Sequence, residues 1–234
     1  MSDYLYATPY RIKQNPDMYH FSSDTELLGR FLKLNSADRV LDAGTNNGAL
    51  LCYAAMWNPA SMAGIDLFPE VIALAEENLE RNGIDAELKA VRLQDYMHEP
   101  FDVIICNPPY FTNPNEKLKK ENHYLRAARH NDYLKPEELF SNSARLLEDG
   151  GRLNLIIPAD SCRTFFSAAF ENGFSLMRFC PVYTEKGGVL RRVLLEFIRN
   201  PSASLEVQLP VYLDQLHDPL ARNDLLKNRY SSAE

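Results

Sequence analysis

The sequence predicts an α/β chain built on a seven-stranded, mostly parallel sheet with a reversed strand at its edge and helices on both faces. Three observations carry this. Short apolar runs alternate with amphipathic helical stretches between residues 38 and 172. A glycine-containing turn, Ala43-Gly44-Thr45-Asn46-Asn47-Gly48, leads the first of those runs into a helix. Two late apolar runs are joined by Lys186-Gly187-Gly188, the mark of an antiparallel hairpin.

Residues 10–13 read as a short strand. Residues 25–34 read as an amphipathic helix, capped by Ser23 or Asp24 and placed to cover the site. The sheet proper begins with 38–42, followed after the glycine turn by a helix over 49–57 and a second strand, 61–66, that ends on the carboxylate of Asp66. Pro69 and Glu70 open the next helix and Asn82-Gly83 stops it. Strands follow at 86–93 and 101–106. A helix at 136–147 has Pro136, Glu137 and Glu138 in its first turn and ends before Gly150-Gly151. A fifth strand at 152–157, a helix at 160–172 and strands at 174–183 and 189–198 complete the domain. The chain thus divides into an entry segment (1–35), a main domain (36–200) and an extension (201–234) that holds a strand-like run at 205–213 and a polar, helix-like end.

A chain of 234 residues that is 45% hydrophobic buries one core of domain size. Its longest apolar run, 49–57, is far short of the roughly twenty residues a membrane helix needs, and no leader-like segment opens it. Cys52, Cys106, Cys162 and Cys180 are irregularly spaced, which fits neither a metal site nor a disulfide framework. Reduced thiols, a cytoplasmic location, no metal and no membrane partner are therefore expected, with a monomer favoured.

The strand 101–106 ends on Asn107-Pro108-Pro109-Tyr110. Consecutive prolines fix φ and remove two backbone donors, so this tip offers acceptors: the Asn107 side-chain oxygen and the Pro108 carbonyl. A planar exocyclic amino group has two hydrogens to give. With both engaged, its lone pair turns out of conjugation toward an electrophile, while Tyr110 stacks on the ring that carries it. Upstream, the glycine turn lets a nucleotide-like ligand approach the backbone, and Asp66 stands at the distance where an acid binds ribose hydroxyls.

In this order of elements, residues 37–199 resemble the class I S-adenosylmethionine-dependent methyltransferases, with their Rossmann-like sheet. Within them the chain is similar to the bacterial tRNA(Val) adenine N6-methyltransferases, which modify the adenosine beside the anticodon. That closer resemblance rests on Phe21-Ser22-Ser23-Asp24-Thr25-Glu26-Leu27-Leu28, on Asn107 to Phe111, on Arg126-Ala127-Ala128-Arg129-His130, and on Leu190-Arg191-Arg192-Val193-Leu194-Leu195. It implies S-adenosylmethionine as cofactor, with Gly44 and Gly48 at its methionine end, Asp66 on the ribose and Asp95 on the adenine amino group. Asp42, Leu67, Tyr96 and Asn107 complete the implied cofactor set. The catalytic set implied is Asn107, Pro108 and Tyr110, with Tyr110 and Phe111 against the target base. One departure stands out: Asn46 occupies the place of the family's usual middle glycine. Asn tolerates left-handed φ better than most residues, so the loop is expected to keep its shape.

The net charge of −7 disfavours a nucleic-acid partner globally, yet the cations are patterned. Lys117, Lys119, Lys120, His123, Arg126, Arg129 and His130 follow the tip, opposed by Glu116 and Glu121, and Lys186, Arg191 and Arg192 precede and enter a late strand. Lys117, Lys119, Lys120, Arg126, Arg129, Arg191 and Arg192 are the expected phosphate contacts to tRNA; the bland alternative is a solvated charged face. No catalytic histidine is expected, since methyl transfer from a sulfonium needs positioning more than a base. Competing readings keep the chemistry with another acceptor, an rRNA guanine or a protein glutamine amide, or abandon catalysis for a cofactor-binding module. The short entry segment argues against the first pair and the intact Asn107 to Tyr110 tip against the second.

Overall fold

A computed structural model describes residues 2–16, 18, 20–108, 134–200 and 204–218. A separate hairpin, β1 (Ser2–Tyr4) and β2 (Arg11–Lys13), precedes helix α1 (Ser23–Phe31). The main sheet is laid down by β3 (Arg39–Ala43), β4 (Ser61–Asp66), β5 (Glu87–Ala90), β6 (Phe101–Cys106), β7 (Leu147–Pro158), β8 (Phe174–Tyr183) and β9 (Leu190–Arg199). Helices α2 (Ala49–Ala55), α3 (Pro69–Arg81), α4 (Pro136–Leu146) and α5 (Cys162–Glu171) connect them. Two short strands from the extension, β10 (Glu206–Val207) and β11 (Val211–Tyr212), pair in parallel with β8.

The spatial order is β10-β8-β9-β7-β6-β3-β4-β5. The seven strands expected from the sequence are all present, and the extension adds its own two. The reversed strand is β9, antiparallel to both β7 and β8, so it lies inside the sheet, with β8 and then β10 and β11 beyond it. The strand-like run at 205–213 is thus two short pieces; the helix-like end lies outside the described residues. β3 pairs with β4 on one side and β6 on the other, and the chain reverses its direction of growth between β3 and β6. Ligands of open α/β sheets bind at such a switch point, outside the carboxyl ends of the strands.

Alternation along the strands separates two cores. Val40, Val103, Ile105, Ile156 and Leu194 face α1 and α2, while Leu41, Ile104, Leu153, Leu155 and Leu195 face α4 and α5. Helix α1 crosses α2 closely because Gly29 has no side chain: a Cβ there would lie 2.2 Å from the Tyr53 ring. Its cap is Ser22, which accepts from the Asp24 amide, so neither Ser23 nor Asp24 serves as expected.

The far end of α1 is pinned by a buried ion pair. A bulge between Leu176 and Arg178 shifts the register of β8 and turns Arg178 onto the α1 face, level with Cys180 and Val182. There Arg178 Nη2 meets Glu196 Oε2 at 2.7 Å and donates to the Phe31 carbonyl at 3.1 Å. Breaking one side of such a pair strands a buried charge, whereas replacing both with apolar groups of similar volume is close to neutral. Glu196→Ala should therefore lower the unfolding free energy by about 3–5 kcal/mol in urea titrations, and Arg178→Met with Glu196→Leu should lose much less. Equal losses would show that the charges themselves hold the fold.

Candidate active site

At the carboxyl edge of the sheet, the loop from β3 to α2 is knitted to the tip of β4. The amides of Gly44 and Thr45 both donate to the Ile65 carbonyl at 2.9 Å, and the amide of Asn46 donates to Asp66 Oδ2 at 3.1 Å. The turn needs positive φ at Gly44 (85°), Asn46 (49°) and Gly48 (81°). Asn46 takes the left-handed conformation as expected of it, so the loop keeps its shape without its middle glycine. A Cβ on Gly44 would meet nothing within 4 Å, which leaves the backbone there open to a ligand. Gly48, at the start of α2, sits instead over Leu79 and Ala75 of α3.

Two carboxylates stand beside this loop. Asp66 is half-buried and also accepts from the Phe68 amide at 3.4 Å; burial raises its pKa, and the Phe68 and Asn46 amides oppose the rise. Leu67, half-buried, follows it. Asp42 is fully buried at the end of β3, and neither oxygen has a hydrogen-bond partner among the described residues. Burial pushes its carboxyl up to about 7; the Thr45 hydroxyl, near but outside hydrogen-bond geometry, opposes this and the charge of Asp66 adds to it.

Asn107 follows β6 directly, beside the glycine loop, and is half-buried; Pro108 is buried. Asp95 is exposed on a turn beyond β5, held by Arg145 of α4, whose guanidinium donates to the carbonyls of Leu93 at 3.2 Å and Tyr96 at 2.9 Å. The Tyr96 ring turns inward and stacks near Phe101 in the core, so it backs this turn. Burial also pushes the Cys106 thiol up, which leaves it without nucleophilic character beside Asn107.

The expected RNA contacts separate. Arg191 is exposed at the start of β9. Arg192, level with Pro158 of β7 and therefore at the same edge as Asn107, pairs with Asp24 of α1 at 2.9 Å. Asp24 is thus an anchor for α1. Pro109, Tyr110, Phe111, Lys117, Lys119, Lys120, Arg126 and Arg129 lie outside the described residues. Sequence reasoning missed Arg145 and Asn78, whose side chains bond to backbone far away in the chain and leave no local pattern. Among the described residues, no cluster of His, Cys, Asp and Glu is placed to hold a metal, and no helix is long and apolar enough to cross a membrane.

Residues 34–182 match the family model of the methyltransferase domain, which agrees with a ligand loop at the switch point. Curated relatives narrow the class. The tRNA1(Val) (adenine(37)-N6)-methyltransferase of Phocaeicola vulgatus is 34% identical over 179 residues, covering 75% of each chain, and that of Flavobacteriaceae bacterium strain 3519-10 is 31% identical, covering 86% of each. The chain belongs to the family of the tRNA1(Val) (adenine(37)-N6)-methyltransferases. Among solved structures, a predicted O-methyltransferase of Agrobacterium tumefaciens shares the fold, with a TM-score of 0.63 at 19% identity over 88% of this chain and 96% of that one.

The buried Asp42 makes stability depend on pH. Its carboxyl, ordinarily near 3.8, is raised to about 7 in the folded chain, so between those values the folded state binds the extra proton. The stabilisation is complete below about pH 4 and is lost as pH rises toward 7. Asp42→Asn removes the effect. It should leave the Tm unchanged at pH 4 and raise stability at pH 8, by about 4 kcal/mol at most. Parallel Tm profiles for the two proteins would show that Asp42 stays ionised in the fold.

Proposed function

We propose that this protein transfers a methyl group from S-adenosylmethionine to the N6 amino group of adenine 37, beside the anticodon of tRNA1(Val), in the cytoplasm. The observation that carries the reading is the placement of the Asn107 tip next to the glycine loop at the switch point of the sheet. The residues present suit the cofactor: an open backbone approach at Gly44, the Asp66 carboxylate for ribose hydroxyls, and a buried Asp42, without a hydrogen-bond partner among the described residues, behind the loop for a positively charged group. Gly44, Gly48, Asp42, Asp66 and Leu67 would hold it, with Asp95 reaching its adenine from the turn that Arg145 supports.

When bound, S-adenosylmethionine supplies an electrophilic methyl group on a sulfonium. The protein's part is positioning. The Asn107 side-chain oxygen and the Pro108 carbonyl accept the two N6 hydrogens, which frees the lone pair for attack, and Tyr110 stacks on the base. Alkylated N6 is cationic and still carries two protons, one of which, now acidic, leaves to solvent without a strong base, while the other stays on the methylated amine. The Asn107-Pro108-Pro109-Tyr110 motif supports catalysis over a non-catalytic binding module, which has no need of a base clamp.

The test is digestion of treated tRNA to nucleosides and mass spectrometry. N6-methyladenosine should form with the wild type. With Asn107→Ala, kcat should fall by about two orders of magnitude or more, while cofactor affinity changes much less. Tyr110→Ala should weaken substrate capture as well as turnover, since stacking on a base contributes about 1–3 kcal/mol. N2-methylguanosine, or methylation of a protein glutamine alone, would sink the adenine assignment; full activity in Asn107→Ala would sink the clamp.

A further inference from the structure

The Asn78 side chain is fully buried on α3 and, among the described residues, makes three hydrogen bonds, all to backbone. Its Oδ1 accepts the Lys13 amide at 2.7 Å, and its Nδ2 donates to the carbonyls of Lys13 at 3.0 Å and Asn47 at 2.9 Å. One turn later Asn82 treats Arg11 in the same way, with the Arg11 amide on its Oδ1 at 3.1 Å and its Nδ2 on the Arg11 carbonyl at 2.8 Å. The repeats match: four helical residues rise about 6 Å and two strand residues about 6.7 Å. Two side-chain amides thus serve β2 in place of a second neighbouring strand. Asn78 alone of the two also reaches the glycine loop.

We propose that Asn78 is a positioning residue for the cofactor, and that through it the N-terminal hairpin is a working part of the cofactor site. The inference rests on the proposed function only in taking S-adenosylmethionine as the ligand of this loop. The peptide between Asn47 and Gly48 is planar, with its carbonyl and amide pointing opposite ways. Asn78 holds the carbonyl, and the Thr45 carbonyl holds the Gly48 amide at 2.9 Å. Rotation of this peptide would break both bonds and leave buried polar groups unsatisfied. Without Asn78 one restraint goes, and the alternating left-handed residues at Gly44, Asn46 and Gly48 must be ordered when the ligand arrives. Asn78 therefore acts on affinity through the loop. Because coupling is reciprocal, a bound ligand must also tighten Asn78 on Lys13.

Calorimetry with S-adenosylhomocysteine tests this apart from any methylation assay. Asn78→Ala should raise Kd about tenfold, the loss of one buried hydrogen bond, and leave kcat at saturating cofactor within about twofold. Asn82→Ala loosens β2 without touching Asn47. It should lower the Tm comparably yet leave Kd within about twofold. In the unaltered protein, hydrogen exchange at the Lys13 amide should slow on adding S-adenosylhomocysteine, and more than at the Arg11 amide. An unchanged Kd in folded Asn78→Ala, an equal rise in Asn82→Ala, or a Lys13 amide indifferent to ligand would overturn the inference, the last even where Asn78→Ala does not fold. Failure of the wild type to bind S-adenosylhomocysteine overturns both this inference and the proposed cofactor. Normal binding with the Asn78 effects but no methylation of tRNA would leave the inference standing and remove the function.

Discussion

The tip of β4 is the constraint on which the site depends. Three consecutive amides, those of Gly44, Thr45 and Asn46, end on two acceptors there, the Ile65 carbonyl and the Asp66 carboxylate. Backbone amides need partners, and a loop that turns sharply from a strand into a helix has no ladder to supply them. Meeting that need from β4 forces the chain through left-handed conformations at alternate residues, which glycine and asparagine adopt with least strain. It also brings Asp66 under the loop. Helix α2 then starts at Gly48 with no side-chain cap, its direction set by the loop and by packing on α3.

A second constraint lies within the sheet. By register, Asp42 of β3, Ile105 of β6, Asn154 of β7, Glu196 of β9 and Arg178 of β8 stand level with one another across the α1 face. Four of those five are polar and all are buried. One pleat nearer the carboxyl edge the row turns apolar again at Ile156, Leu194 and Cys180. A buried polar row adds little net stability, since desolvation offsets most of the attraction, but it penalises any register slip that would match a charge with an apolar neighbour. The bulge in β8 is what makes Arg178 level with Glu196.

Local chemistry was legible in the sequence. Proline at the start of α3 and α4, the stop at Asn82-Gly83, the carboxylate ending β4, and the tip after β6 all announce themselves within a few residues, because caps and turns are local devices. Asn46 was legible too, through its tolerance of positive φ. What escaped was long-range: Asn78 bonds to Lys13 across 65 positions, Arg145 to Tyr96 across 49, and Arg178 to Phe31 across 147. A polar residue on an otherwise apolar helix face reads as a blemish until its backbone partner is known. The placement of β9 inside the sheet escaped for a related reason, since a hairpin signal shows that two strands pair but not which of them also meets β7.

Charge bears on how an acidic protein selects a polyanion. Lys13, Arg30, Arg39, Arg81, Arg152, Arg178 and Arg192 all pair with carboxylates within the fold, so much of the body's positive charge is neutralised internally. Against that background Arg191 is exposed at the edge that carries Asn107, and the run containing Lys117, Lys119, Lys120, Arg126 and Arg129 follows Pro108 directly in sequence. On the proposed function, phosphate attraction would come from these residues, while the acidic remainder repels other dockings. Phosphate contacts from these cations would make binding salt-dependent but carry no sequence information. Discrimination therefore falls on what the clamp can reach: an unpaired adenine in an exposed loop, presented with its amino group toward Asn107.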